Sequence, residues 1–290
     1  MLVPLSWLRE FVDIDLTPEQ LAERLTLLGM EVSAIEHVGS DWHRIVVGEL
    51  LEVAPHPNSR KLSLTRVRAG GEELSIVCGA TNIEQGQRIP VALPGSILPG
   101  DRHIDITTIA GTESQGMLCS GDELGLTADA DGILILPADS QLGQDMRDMA
   151  GDVVLDIDVK PNRGDALSIV GLAREVAAAT GAPLRWPDLS VPESGDATSD
   201  HLRVDVADPD LCPVFVGRFV DGVTVGPSPW HVQKRLIAAG VRPISNIVDA
   251  SNYVLMELGK PIHTFDAAAI RDGHIIVRRA EVGERLETLD

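Results

Sequence analysis

The chain has 290 residues, a length that implies two or three domains. Its formal net charge of −20 excludes a protein that holds nucleic acid by wholesale phosphate neutralisation, so any such contact must be local, through a small basic patch on an acidic body. Apolar residues make up 44% and aromatics 3%, enough for proper cores that must be largely aliphatic.

The first predicted element is a helix in "LTPEQLAERLTLLGMEV". Thr17 caps it, Pro18 suits its first position and Gln20 completes a capping box. Leu21, Leu25 and Leu28 form one face, and Gly29 supplies a left-handed stop. From about Ile45 to Leu136 the period changes to two. "IVVGELLEV", "KLSLTRVRA", "ELSIVCG", "RIPVALPG" and "HIDITTIA" read as short strands broken by Gly, Pro and Asn turns. Such a run fits a small closed barrel of the OB type or a generic β-sandwich, and composition does not choose between them.

"VVLDIDVKPNRGDALSIVGLAREVAAATGAPL" predicts a strand, a turn and a helix, with Asp165 as N-cap and Gly181 with Pro183 at its end. Arg163, left over from the turn chemistry, is placed to bridge carboxylates or a neighbouring domain. Residues 187–200 are polar, acidic and rich in Pro, Ser and Gly, a linker composition. "LRVDVAD" and "PVFVGRFVDGVTV" then alternate as strands. In "SPWHVQKRLIAAG" Ser228 caps a helix, Pro229 opens it and Gly240 closes it. "RPISNIVDASNYVLMELGKPIHTFD" predicts a helix over 245–258 whose buried side carries Ile247, Val248, Val254, Leu255 and Leu258. Asp249 and Asn252 lie three apart and share another face. Gly259 and Pro261 end that helix, letting His263 turn back toward the face, and Asp266 caps the next helix. "GHIIVRRA" completes an alternation of strand and helix, so this part is α/β or α+β. The chain stops at "GERLETLD" with no closing element, as a piece of a longer polypeptide would.

Cys78, Cys119 and Cys212 are widely spaced, odd in number and lack a C-x-x-C pair. That fits a reducing cytoplasm, with neither a disulfide framework nor a zinc site. No signal-peptide run occurs, nor a stretch of about 18 apolar residues. Arg60, Lys61, Arg66 and Arg68 gather in an otherwise acidic chain, and alternation puts Arg66 and Arg68 on one strand face. They form a small phosphate-contacting patch or an ordinary solvated face. No Phe, Tyr or Trp lies between Ile45 and Leu136 to stack bases, which favours the solvated face. No G-x-G-x-x-G, P-loop or G-x-S-x-G pattern occurs, so neither ATP binding by this chain alone nor covalent catalysis is indicated. A histidine among amides and hydroxyls, as at His263, can bind a substrate oxygen or orient water; a hydrogen-bonded surface helix explains the same residues.

The order of segments resembles the bacterial phenylalanine–tRNA ligase β subunit family. "LVPLSWLREFVD" with "LAERLTLLGMEV" resembles that family's opening. "VGELLEVAPHPNSRKLSLTRV", "IVCGATNIEQGQRIPVALPGS" and "SQGMLCSGDELGL" resemble its inserted tRNA-binding domain. "KPNRGDALSIVGLAREVAAATG" resembles the segment that resumes the first domain, and the 242–266 segment resembles the domain that edits mischarged tRNA.

The resemblance implies a multidomain α+β fold. A small discontinuous domain, 1–38 plus 151–186, receives an OB-fold domain at 39–150; a linker at 187–200 leads to an incomplete α/β editing domain at 201–290. It implies a cytoplasmic α2β2 heterotetramer with an α subunit as partner, tRNA(Phe) as a second partner and no membrane. The synthetic site, which uses ATP and Mg2+, is expected on the α subunit, with no cofactor or metal held in this chain. The editing reaction hydrolyses Tyr-tRNA(Phe). His263 and Asn252 match positions that place water or the adenosine, and Arg242 matches a basic residue that holds the tRNA end. Ser251 stands where the family more often has threonine, keeping the hydroxyl. The glutamate that reads the tyrosine hydroxyl is expected beyond residue 290. Two other readings compete: a non-enzymatic tRNA-binding or assembly module, and a freestanding hydrolase acting in trans. The second has no evident need for the N-terminal segment or the "KPNRGD" turn.

Overall fold

A computed structural model of the chain describes residues 1–127 and 132–287. The chain divides into two compact units, residues 1–187 with 227–262, and residues 188–226 with 263–290.

The first unit opens with β1 (Leu2–Pro4), α1 (Leu5–Leu8), α2 (Pro18–Leu27) and β2 (Glu31–Val38). The start of α2 follows from sequence chemistry. The Thr17 hydroxyl accepts from the Gln20 N–H, and the Gln20 side chain accepts from the Thr17 N–H, with Pro18 next to the cap. Leu21 and Leu25 are fully buried, but Leu28, expected on the same face, is 43% exposed. The helix ends at Leu27 and Leu28 is its C-cap, so helical periodicity no longer aims that side chain at the core.

The period-two region forms β3 (His43–Pro55), β4 (Ser63–Ala69), β5 (Glu72–Cys78), β6 (Arg88–Leu98), β7 (Arg102–Ile104), β8 (Ile106–Ile109), β9 (Thr112–Gln115) and β10 (Met117–Leu118). The strand order is β10-β6-β3-β4-β5, with β7 added on β6. β3 is the pivot: His43 to Glu49 pairs with β6, and Glu49 to Pro55 pairs with β4. Register shifts at His43/Ile45 and Leu50/Glu52 bend this long strand so that it serves both partners. β5 and β10, at opposite ends of the order, come into contact, so the sheet is curled. The stretch 103–110, expected as one strand, is interrupted after Ile104; β7 joins β6 while β8 pairs with β9 in a separate hairpin. As composition requires, the interior is aliphatic, with Leu50, Val67, Ile76, Ile89 and Val91 in one cluster and Ile45, Val47 and Leu98 around Trp42 in another.

After α3 (Met146–Ala150) the chain returns as β11 (Asp152–Asp158) and α4 (Ile169–Thr180). β11 lies between β1 and β2, antiparallel to both, so segments from before and after the curled sheet build one three-stranded sheet. The Met1 ammonium donates to the Ile157 carbonyl at 2.6 Å. The cap of α4 is Ser168, whose Oγ accepts from the Gly171 N–H at 3.0 Å. Asp165, expected there, lies instead in a short 3-10 turn, Gly164–Ala166, that precedes the helix. Gly181, with φ +77°, supplies the left-handed stop.

Beyond residue 187 come α5 (Thr198–His201), β12 (Arg203–Val206), α6 (Trp230–Ala238), α7 (Asn246–Leu258) and β13 (His274–Val277). α6 and α7 belong to the first unit, where α6 packs on β1 and α7, and α7 packs on α4. In the second unit β12 and β13 pair in parallel, from Arg203↔His274 to Val206↔Val277. The 213–225 segment, expected as strands, pairs with no strand among the described residues, and Val214, Val216, Val220 and Val225 are exposed. Alternation marks a half-buried strand only where a partner strand exists to complete the ladder.

Candidate functional site

α7 ends at Gly259 as expected, while Ser245, expected as its first residue, is its cap. The Ser245 hydroxyl accepts from the Val248 N–H, and Gly259 closes the helix with φ +69°. Its buried face is not the one that polarity predicts. Asp249 is 1% exposed, whereas Leu255 is 40% exposed. Asp249 is inside because its carboxylate is satisfied: Ser228 Oγ donates to it at 2.5 Å and the Ile244 N–H at 2.7 Å. Ser228 is therefore not the cap of α6, which has Pro229 at its N-cap and no side-chain capping bond.

Tyr253, Met256 and Leu258 pack against the buried cluster that includes Trp7, Leu8 and Val170. The Trp7 and Tyr253 ring centroids are 4.6 Å apart, and the Trp7 indole N–H donates to Glu257 at 2.9 Å. Arg235, from α6, sits 5.6 Å from the Trp7 ring centroid and 5.8 Å from that of Tyr253. It donates to the Tyr253 hydroxyl and to Glu10. Burial pushes the Tyr253 phenol up to about 12, against the downward pull of Arg235. This aromatic–arginine clamp escapes sequence reading because Trp7 and Glu10 lie more than two hundred residues from Arg235, Tyr253 and Glu257; only the pairing of scarce aromatics with nearby charges hints at it.

Of the four residues matched to an editing site, Arg242, Ser251 and Asn252 lie in the first unit and His263 in the second. Arg242 is exposed in the connection before α7, and Asn252 is half-buried. The Ser251 hydroxyl donates to the Val248 carbonyl at 2.7 Å, which leaves its oxygen lone pairs to accept. His263 is exposed, with its ring centroid 6.3 Å from that of Phe265. Asp249, expected to share a face with Asn252, faces inward. Asp266 caps a 3-10 turn, Ala267–Ala269, through the Ala268 N–H.

The basic residues of the curled sheet divide into two kinds. Arg66 and Arg68 do share one exposed face of β4, alternating with buried Thr65, Val67 and Ala69. Acids share that face: Arg66 lies 3.8 Å from Glu52 and 3.9 Å from Glu73, and Arg68 lies 3.6 Å from both Glu49 and Glu73. Arg88 adds a 3.0 Å contact to Glu49. The face is therefore a mixed-charge lattice. Arg60 and Lys61 are exposed in the preceding turn.

Arg163 bridges carboxylates, as its leftover position implied, reaching Asp165 at 2.8 Å and Glu175 at 2.6 Å. Burial pushes the Cys119 thiol up to about 12 and raises Cys78, which makes both poor thiolates. Among the described residues no group of three or more His, Cys, Asp or Glu side chains could hold a metal ion. No described helix is long and apolar enough to cross a membrane.

Two family models match the chain: "Putative tRNA binding domain" over residues 45–145 and "B3/4 domain" over residues 211–290. Across its whole length the chain is 48% identical to the phenylalanine--tRNA ligase beta subunit of Geobacter metallireducens. Identity to the proteins of that name is 46% in Syntrophus aciditrophicus and 47% in Anaeromyxobacter dehalogenans. In each case 100% of this chain and 36% of the relative are covered. A solved structure, the MetRS related protein from Pyrococcus horikoshii, aligns with 34% of this chain and 85% of its own at 21% identity, with a TM-score of 0.27, which is too low to carry any argument. The domains and relatives are those of the aminoacyl-tRNA synthetases. Over its whole length the chain is homologous to proteins named phenylalanine--tRNA ligase beta subunit, and it spans about a third of the length of the curated relatives it matches.

Proposed function

We propose that this chain works as part of the β subunit of a phenylalanine–tRNA ligase, coupling an OB-type tRNA-binding domain to one portion of an editing site for Tyr-tRNA(Phe). The observation that carries the reading is unbroken similarity: 48% identity over the whole chain to a protein of that name. The curled sheet with its bent central strand is the geometry an OB-type domain needs.

In this reading Arg242 holds the tRNA end, while Asn252 and His263 place water or the terminal adenosine, and the Ser251 hydroxyl accepts from a substrate donor. Hydrolysis of an aminoacyl ester asks chiefly for a positioned water and oriented polar groups, which amide, hydroxyl and imidazole supply without a covalent intermediate. A pocket built to bond the tyrosine hydroxyl rejects phenylalanine, because its polar groups would be left unpaired. Arg60 and Lys61 are the residues of the basic segment best placed for a phosphate, with Arg66 and Arg68 supporting the strand face.

The partners in this reading are an α subunit, in an α2β2 assembly, and tRNA(Phe) in the cytoplasm. ATP and Mg2+ enter only through the holoenzyme. The described residues supply no metal-holding cluster, so no step is assigned to either group within this chain. The test is reconstitution: the β subunit containing this sequence, purified with its α partner, should charge tRNA(Phe) with phenylalanine and clear Tyr-tRNA(Phe). Failure of both activities in a stable assembly would overturn the reading.

One observation favours a second, purely structural role for this region. α7 is committed to the first unit through Trp7, Tyr253 and Glu257, as an assembly element would be. A holoenzyme that charges tRNA(Phe) but leaves Tyr-tRNA(Phe) intact would support that role.

A further inference from the structure

His56 directly follows β3 and is buried, 4% exposed, where the basic turn begins. The residues His56-Pro57-Asn58-Ser59 form a β-turn, with proline at the second position it suits and the Ser59 N–H donating to the His56 carbonyl at 3.4 Å. The His56 N–H donates to the Leu62 carbonyl at 3.0 Å, which closes the loop over 56–62. Inside it, the Asn58 N–H donates to the His56 ring at Nδ1, at 3.1 Å. The Asn58 side-chain amide donates to the Ala110 carbonyl at 3.1 Å, bracing the loop on the tip of the β8–β9 hairpin. The Lys61 N–H donates to the Ser59 hydroxyl at 3.3 Å. Arg60 and Lys61 are the exposed cations of this closed loop. Unlike Arg66 and Arg68, neither is ion-paired among the described residues.

A ring that accepts at Nδ1 carries its proton on Nε2 when neutral. That Nε2 is buried with no partner among the described residues. An unpaired buried N–H is costly, so the ring is not there to satisfy its own hydrogen bonds. What it does is hold the Asn58 N–H, and through Asn58 the loop is fastened to the hairpin. Two long cations on a fastened loop lose less freedom on meeting a phosphate than the same cations on a loose one. We propose that His56 is the positioning residue of an RNA-contacting loop: its Nδ1 sets the turn that presents Arg60 and Lys61 to the phosphates of tRNA. This rests on the tRNA-binding reading of the proposed function, and adds to it the group that orders the contact.

The test is binding of tRNA(Phe) by the 290-residue chain over a salt series. His56→Ala is expected to lower the log–log slope by about 1, as the Arg60→Ala, Lys61→Ala pair should. Added to that pair it should lower the slope no further, because the loop then has no cations to present. His56→Asn should bind as the unaltered chain does, since an asparagine oxygen accepts from the N–H two residues on. Long-range proton–nitrogen NMR, with the ring assigned through His56→Asn, should show Nε2 protonated and Nδ1 bare when the ring is neutral. A slope unmoved by His56→Ala while the pair lowers it, or a further loss when all three are replaced, would overturn the proposal and leave Arg60 and Lys61 as the contact. If the pair itself changes neither slope nor affinity, the loop does not meet RNA, and the tRNA reading of the loop falls with the proposal. If His56→Ala fails to fold, weakened binding by His56→Asn or a proton found on Nδ1 of the neutral ring overturns it instead.

Discussion

Ser228 donates its hydroxyl to the buried carboxylate of Asp249 at 2.5 Å, tying the segment that leads into α6 to the first turn of α7. The same carboxylate accepts the Ile244 N–H, so one side chain ties the approach to α6 to the last residues of the segment that joins the two helices. That segment carries Arg242. Asp249 is therefore a device of local geometry, and it stands where an amphipathic reading of the helix puts a solvated residue.

Replacing Asp249 by Ala leaves a serine hydroxyl and a backbone N–H without their acceptor. The expected loss is on the order of 3 kcal/mol in urea unfolding, typical of removing one partner from a buried polar cluster. Asp249→Asn keeps one carbonyl oxygen for the Ile244 N–H, and the Ser228 hydroxyl can rotate to accept from the amide. Its cost is expected to be about 1 kcal/mol. Equal stability of the Ala and Asn variants would show that the carboxylate is not the tie.

In the second unit, the Arg278 guanidinium holds the Glu284 carboxyl down to about 2, from an ordinary 4.5, helped by the Glu281 N–H. A depressed carboxyl stabilises the folded form fully above its unfolded value and loses that contribution as pH falls through the folded one. The expected window for loosening is therefore from about pH 4.5 downward to about 2. Following the Glu284 carboxyl carbon by NMR should give a midpoint well below an ordinary glutamate. In Arg278→Ala it should rise toward 4.5; no change there would refute the pairing.

The surface of β4 predicts how tRNA binding responds to salt. Arg66 and Arg68 each lie near two glutamates, so phosphate contact there exchanges one partner for another and releases few counterions. The log–log slope of tRNA affinity against salt is expected to be shallow, with magnitude about 2 or less. The Arg60→Ala, Lys61→Ala pair should reduce that slope by about 1, and the Arg66→Ala, Arg68→Ala pair should barely alter it. A steep slope abolished by the second pair would reverse the assignment.

What the residues disclosed in advance were local features with local causes. Thr17 with Gln20 and the helix-ending glycines at 181 and 259 are read from neighbours a few positions away, and the structure contains each of them. What stayed hidden depends on partners distant in sequence. Asp249 is buried because Ser228 and Ile244 meet it, and Trp7 meets Tyr253 across the whole first unit. Leu255 and the valines of 213–225 are apolar without being covered, since periodicity records what a side chain prefers and not whether a neighbour arrives. The same gap applied to β4, where alternation placed Arg66 and Arg68 on one face but could not show that Glu49, Glu52 and Glu73 share it.

The sharpest test of the editing proposal is His263→Ala, made in the holoenzyme with its α partner. His263 is exposed and hydrogen-bonds no described residue in a way that supports the fold, so its loss should leave stability and phenylalanine charging close to unaltered. If its imidazole places water or the adenosine, deacylation of Tyr-tRNA(Phe) should slow on the order of a hundredfold, the usual cost of losing a positioning contact. Stable mischarging with tyrosine should rise in step. Ser251→Ala provides the contrast: its hydroxyl already donates to the Val248 carbonyl, so only an accepting role is removed and a few-fold loss is expected. Ser251→Thr keeps that oxygen and should retain activity. Unchanged clearance of Tyr-tRNA(Phe) by His263→Ala would remove this histidine from the site, while charging that fell together with clearance would mark it as structural.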